Sequence, residues 1–217
     1  MNIILQHWTG ELDELGRRSS ENIQAYAERM GAEYRLLRGN VFRPSLTPPC
    51  QKLYMLDPTF DDYDVVVMLD MDMFAVKGLT DSVFDLDGTG LFSEYTKGVF
   101  KRCIKAHPSL SNPEYAYWGG AIYRLTRERR QALRKHIVES EMREFDGDLQ
   151  DEGIMHRLAC KARIRQDRIP DRWCQCSYLP NPERAAMIHV RTKVKPEGPK
   201  RAKLENYKAL QARGILD

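Results

Sequence analysis

Residues 65–76 read VVVMLDMDMFAV. Val65 to Leu69 form an unbroken apolar run that opens on three valines, which suits a strand buried on both faces of a parallel sheet. Asp70 and Asp72 follow with only Met71 between them, and the chain turns apolar again at Met73. If the strand stays extended, both carboxylates lie on one face, because side chains repeat every second residue. Two like charges that close at the edge of a hydrophobic strand are costly unless a cation compensates them; the alternative is a solvated turn with two incidental aspartates. A hard divalent ion such as Mn2+ or Mg2+ is the natural one, since it prefers oxygen ligands and keeps positions open for phosphate.

Working outward, Ile3 to Leu5 is a short apolar run that predicts a first strand. Ile23, Tyr26, Ala27 and Met30 recur at helical spacing, and Gly31 closes the helix. Tyr34, Leu36 and Leu37 predict a second strand, and Pro48 and Pro49 open a short helix with Leu53 and Leu56 on one side. Strand, helix, strand, helix, strand is an α/β pattern, and ligands of such sheets bind beyond the carboxyl ends of the strands. Asp70 and Asp72 stand at such an end. Further strands are expected over 91–93, 120–125 and 185–190. Helices are expected from a Thr126 cap to near Glu141, over 148–162 and over 204–212, with a loop over 167–181. The arginines of 127–134 read as a solvated face.

The chain has 217 residues, 42% hydrophobic and 30% charged, which fits a folded globular protein rather than a disordered one. A formal net charge of +3 is far from the basic stripe of a nucleic-acid binder. Cys50, Cys103, Cys160, Cys174 and Cys176 are odd in number and unevenly spaced, and read as reduced thiols. The first residues show no secretory signal, and no apolar stretch reaches the roughly 20 residues that span a bilayer. The expected location is the cytoplasm.

With its companions, VVVMLDMDMF resembles the DxD element of GT-A-fold, nucleotide-sugar-dependent glycosyltransferases, above all the glycogenin-like retaining branch. Lys52 in QKLYML lies where that branch keeps a lysine near the nucleotide sugar. YWGGAIYRLT, residues 117–126, is similar to the family's small-residue turn before a strand, with Trp118-Gly119-Gly120 where Asn-Ser-Gly is frequent. GDLQDEGIMHRL, residues 147–158, resembles the Asp-Gln segment behind the donor sugar, with Asp151 matching and Glu152 replacing the glutamine. In MIHVRTKVKP, residues 187–196, His189 is followed by Lys195-Pro196 at the family's spacing, while Thr192 replaces a glycine. The resemblance runs from Asn2 to about Pro196 and extends to the small glycosyltransferase domains of large algal viruses, for which the location would be the host cytoplasm.

This resemblance implies an α/β fold, a single GT-A domain over 1–217 with a mostly parallel central sheet and flanking helices. A Rossmann-like nucleotide-binding half over 1–75 would end in the DxD, a donor and acceptor half would span 76–196, and a basic segment with a helix would fill 197–217. It implies metal-dependent transfer of a sugar from a UDP-sugar to a glycan or glycoprotein acceptor, with retention of anomeric configuration, and no nucleic-acid or membrane partner. Asp70, Asp72 and His189 would hold Mn2+ or Mg2+. Gln6, His7, Trp8 and Thr9 would meet the uracil and ribose, where Trp8 offers a face for stacking. Lys52, Asp70, Gly119 and Gly120 would line the donor site, Asp151 and Glu152 would flank the anomeric carbon, and Lys195 would neutralise the departing diphosphate. Two alternatives stand beside this. One is a haloacid-dehalogenase-like phosphatase using the first aspartate, although Phe74 stands where that family usually has Thr or Val. The other is a nucleotide- or glycan-binding module of the same fold with weak catalysis, which Glu152 and Thr192 keep open. Whether the chain belongs to a longer polypeptide is also left open.

Overall fold

The computed structural model describes residues 1–178, 181–192 and 202–217. In chain order these form β1 (Asn2–Trp8), α1 (Glu14–Arg29), β2 (Glu33–Arg38), β3 (Val65–Leu69), β4 (Met73–Ala75), β5 (Gly90–Leu91) and α2 (Glu94–Ala106). There follow β6 (Gly119–Thr126), α3 (Arg127–Arg134), α4 (Glu139–Arg143), α5 (Gln150–Lys161), β7 (Gln175–Cys176), β8 (Met187–His189) and α6 (Lys203–Ala212). A 3-10 helical stretch, Pro48–Leu56, precedes β3.

The main sheet has the order β2-β1-β3-β6-β5. β1 runs parallel to both β2 and β3, while β6 runs antiparallel to β3 and to β5. β3 is central and all five of its residues are buried, which is why its sequence is continuously apolar. Strand alternation divides them between two cores. Val66 and Met68 join Ile3 and Leu5 against Pro48–Leu56 and α5, whereas Val65, Val67 and Leu69 join Ile4 against α1. Each such side chain contributes about 1.5–3 kcal/mol on burial, enough to hold a strand whose end carries two carboxylates.

Helix α1 starts at Asp13, whose carboxylate accepts from Gly16 N at 2.7 Å, and ends before Gly31 at φ +65°. Ile23, Tyr26 and Ala27, spaced as the sequence suggested, form its buried stripe. A second, three-stranded sheet has the order β4-β8-β7. Helix α6 packs under it, with Tyr207 and Leu210 buried against Phe74 and Ile188.

Several elements differ from the sequence-based expectation. The helix from Thr126 ends at Arg134, and α4 restarts at Glu139. Thr126 does cap α3, accepting from Arg129 N. The arginine-rich α3 is not a solvated face. Arg130 is fully buried and donates to the carbonyls of Leu125, Phe60 and Tyr63, and burial pushes its pKa down to about 10. Arg134 forms a paired contact with Asp61. Helix α2 and strand β4 were not expected, and 167–181, expected as loop, holds β7. The five cysteines are free thiols. Among the described residues no helix is long and apolar enough to cross a membrane.

Candidate functional site

The DxD bridges the two sheets. Asp70 directly follows β3 of the large sheet and Asp72 directly precedes β4 of the small one. The strand does not stay extended between them: Met73 N donates to Asp70 O at 3.1 Å, closing a turn. The two carboxylates therefore converge through a turn, not through strand alternation. Asp70 N donates to Ala121 O of β6 at 3.0 Å, which fixes the start of that turn.

His189 reaches the pair through sheet register. β4 and β8 are antiparallel with Met73 opposite His189, and Val190 N donates to Asp72 O at 2.8 Å. His189 Nε2 then lies 3.0 Å from Asp72 Oδ1. One donor atom from each of Asp70, Asp72 and His189 falls within 4.8 Å of the others. Two hard carboxylates and an imidazole gathered at this distance fit a divalent cation. Asp72 is 9% exposed. Burial alone would raise its carboxyl, but the charges of His189 and Lys203, with their hydrogen bonds, hold it below the usual carboxylate range.

In direct contact with Asp70 stands a second charged group. Lys52 is presented by Pro48–Leu56 on the face of the sheet shared by Val66 and Met68, the same face by parity as Asp70. Its Nζ donates to Asp70 Oδ1 and to Gly120 O, both at 2.8 Å, and lies 2.9 Å from Asp151 Oδ2. Burial would depress the Lys52 ammonium, but Asp151 and Asp70 push it above its ordinary value. Asp151, in the first turn of α5, also accepts from Tyr123 OH at 2.9 Å, and burial raises its carboxyl against the pull of Lys52. Glu152 accepts from Gly120 N at 2.9 Å and from Tyr117 OH at 3.0 Å. Burial and the Asp151 charge raise its pKa. Gly120 is required for this closeness, since a Cβ there would lie 2.6 Å from Asp151 Oδ2 and 3.2 Å from Lys52 Nζ.

These groups line one cleft of about 860 Å³. His7 and Trp8, at the end of β1, and Thr9 just beyond it also line the cleft. His7 Nε2 pairs with Gly39 O at 2.7 Å and Trp8 Nε1 donates to Glu11 O at 2.8 Å, so both rings are fixed by backbone. Burial lowers the His7 pKa. Gln6 is fully buried and points elsewhere: its amide donates to Asp70 O at 3.0 Å and to Ser19 Oγ at 2.9 Å, and accepts from Tyr34 OH. It props the DxD turn from below. Gly119 lines the cleft beside Gly120. Lys195 lies outside the described residues.

Sequence reading missed Tyr117, Tyr123, Arg191 and Lys203. Tyr117 and Tyr123 hold the carboxylates of α5, and Arg191 lies in the cleft with its guanidinium 5.7 Å from the Tyr95 ring centroid. Lys203, the first residue of α6, bonds Asp72 Oδ2. The tyrosines lie in a segment already singled out for its glycines. Arg191 and Lys203 carry no local signal and emerge only from the packing of β8 against α6.

The chain is similar to a solved glycosyltransferase involved in the glycosylation of the major capsid of PBCV-1, at 11% identity and a TM-score of 0.54 over 97% of this chain and 98% of that one. It is similar to the galactosyltransferase LgtC solved in complex with donor and acceptor sugar analogs, at 13% identity and a TM-score of 0.56 over 98% and 96% of the two chains. An active-site mutant of LgtC gives 12% identity and a TM-score of 0.58 over 100% and 97%. No family model and no curated protein sequence matches the chain. Likeness over the full length of such structures establishes the fold: the protein has the α/β, GT-A architecture of these solved glycosyltransferases.

Proposed function

We propose that the protein is a metal-dependent glycosyltransferase that moves a sugar from a UDP-sugar to a glycan or protein acceptor, with retention of anomeric configuration. The observation that carries this is the convergence of Asp70, Asp72 and His189 at the carboxyl end of β3, inside a cleft that Lys52, Asp151 and Glu152 also line, with Lys52 bridging Asp70 to Asp151. In this reading Asp70, Asp72 and His189 hold Mn2+ or Mg2+, and His7, Trp8 and Thr9 receive the base and ribose. A divalent ion, when bound, supplies the positive charge that stabilises the departing diphosphate.

The rest of the work falls to the chain's own groups. Gly120 leaves room for Asp151 and Lys52 to close on its backbone, and Gly119 lines the cleft beside it. Lys52 ties Asp70 to Asp151, so the wall near the sugar and the cation cradle move as one body. Asp151 and Glu152 each accept at least two hydrogen bonds or ion pairs from the protein. Neither is a free base poised to activate an attacking hydroxyl, which favours a front-face, retaining route without a dedicated base. Lys195, by the family resemblance, would meet the diphosphate. The GT-A architecture favours neither the phosphatase nor the binding-module alternative.

Screening UDP- and GDP-sugars for nucleotide release with Mn2+ and with chelator tests the assignment. Mn2+-dependent release from a UDP-sugar supports it, and phosphate release from a generic phosphate ester with no turnover of any sugar nucleotide contradicts it.

A further inference from the structure

Both oxygens of Asp72 have protein partners: Oδ1 faces His189 Nε2 at 3.0 Å and Oδ2 is bonded by the Lys203 ammonium. A divalent ion held by Asp70, Asp72 and His189 must share Asp72 with that ammonium, and the two positive charges repel at contact distance. Helix α6 cannot easily retreat to relieve this. Tyr207 and Leu210 are buried in the core beneath β4 and β8, the Tyr207 and Phe74 ring centroids are 4.8 Å apart, and Asn206 Nδ2 donates to Arg191 O at 2.6 Å. The Lys203 side chain, by contrast, is 40% exposed and lines the cleft on a flexible aliphatic stem. The side chain moves while the helix stays.

We propose that Lys203 is the site's resident counter-cation, holding Asp72 until a divalent ion takes that carboxylate and then bonding the diphosphate of the donor. The inference rests on the metal-dependent reading above. Three other features make it specific. Lys52 shares Asp70 with the ion in the same way, but it is also tied to Asp151 Oδ2 and Gly120 O, neither of which belongs to the cation cradle. Arg191 is placed against Tyr95. Of the lysines and arginines that line the cleft among the described residues, only Lys203 has its ion-paired carboxylate in the cradle and no second ion-paired carboxylate outside it. Its three N–H donors then stand beside a metal-bound ligand that brings new negative charge, and charge-assisted bonds to phosphate oxygens are the strong kind. Lys203 thereby couples the two ligands with opposite sign: it weakens binding of the metal alone and strengthens binding of nucleotide to the metal-loaded protein.

The test is calorimetric titration of the full chain, first with Mn2+ alone and then with UDP at saturating Mn2+, for wild type, Lys203→Met and Lys203→Arg. Lys203→Met should bind Mn2+ about tenfold more tightly and UDP about tenfold more weakly, while Lys203→Arg, which keeps the charge, stays near wild type for Mn2+. In chelator, the thermal midpoint of Lys203→Met should fall, and Mn2+ should restore it. Wild-type chain that takes up no Mn2+ overturns the metal reading and this inference with it. Mn2+ uptake that Lys203→Met leaves unchanged or weakens, or UDP binding that it leaves unchanged, overturns this inference alone.

Discussion

Lys52 Nζ lies 2.9 Å from Asp151 Oδ2, joining the helical stretch that precedes β3 to the first turn of α5. Both side chains are at most one-tenth exposed, and the same ammonium holds Asp70 at 2.8 Å. One buried cation thus faces two carboxylates, and the wall of the cleft is electrostatically committed to the DxD.

Removing that cation should therefore do more than remove a contact. Lys52→Met leaves Asp151 buried without its partner, and breaking one side of such a pair costs about 3–5 kcal/mol. Adding Asp151→Asn should recover a large part of this loss, because the stranded charge goes with it. Urea unfolding of the two variants measures both values; equal stability of Lys52→Met and wild type would contradict the arrangement.

Gly120 makes a separate prediction. In Gly120→Ala the new methyl must push apart Lys52 and Asp151, since it would lie 2.6 Å from Asp151 Oδ2. Overpacking of this kind costs about 1–3 kcal/mol. Misplacement on the scale of 1 Å beside a reacting centre lowers turnover by about a hundredfold. Comparing folding midpoint with UDP-sugar turnover separates the two effects, and turnover should fall much further than stability.

Glu152 predicts a pH dependence. Burial and the neighbouring Asp151 raise its pKa above the ordinary 4.5. A carboxyl raised in the folded state contributes stability that is present below the unfolded pKa and lost as pH rises through the folded one. Wild type should accordingly lose stability as pH climbs above 4.5. Glu152→Gln retains an acceptor for Gly120 N and has no charge to bury, so its stability should fall less over the same range. Thermal midpoints of both proteins across that range read the difference, and parallel curves would contradict it.

The elements that sequence disclosed were those whose burial follows a simple period. β3 is apolar throughout because it is covered on both faces, and α1 shows its stripe of Ile23, Tyr26 and Ala27. Helix α2 was hidden because it buries only Thr96, Val99 and Cys103, a stripe with one polar member and few hydrophobes. No proline or glycine marks the break between α3 and α4, so the pattern read as one helix. Arg130 was taken for solvent-facing because the carbonyls it binds, of Phe60 and Tyr63, come from another part of the chain. In the site, Asp70 and Asp72 were legible from the apolar strand that runs into them, and His189, Lys52 and Asp151 through a family resemblance; all five line one cleft. Lys203 was not, since only the packing of α6 under β4 and β8 carries it to Asp72.

The central claim is that Asp70, Asp72 and His189 form a cation cradle for a nucleotide diphosphate. Titration of UDP into wild type and His189→Ala, each with Mn2+ and with chelator, tests it most directly. The account predicts that wild type binds UDP strongly only with Mn2+, and that His189→Ala loses most of that dependence while remaining folded. UDP affinity that is indifferent to Mn2+ in wild type, or Mn2+ dependence that survives intact in His189→Ala, would contradict it.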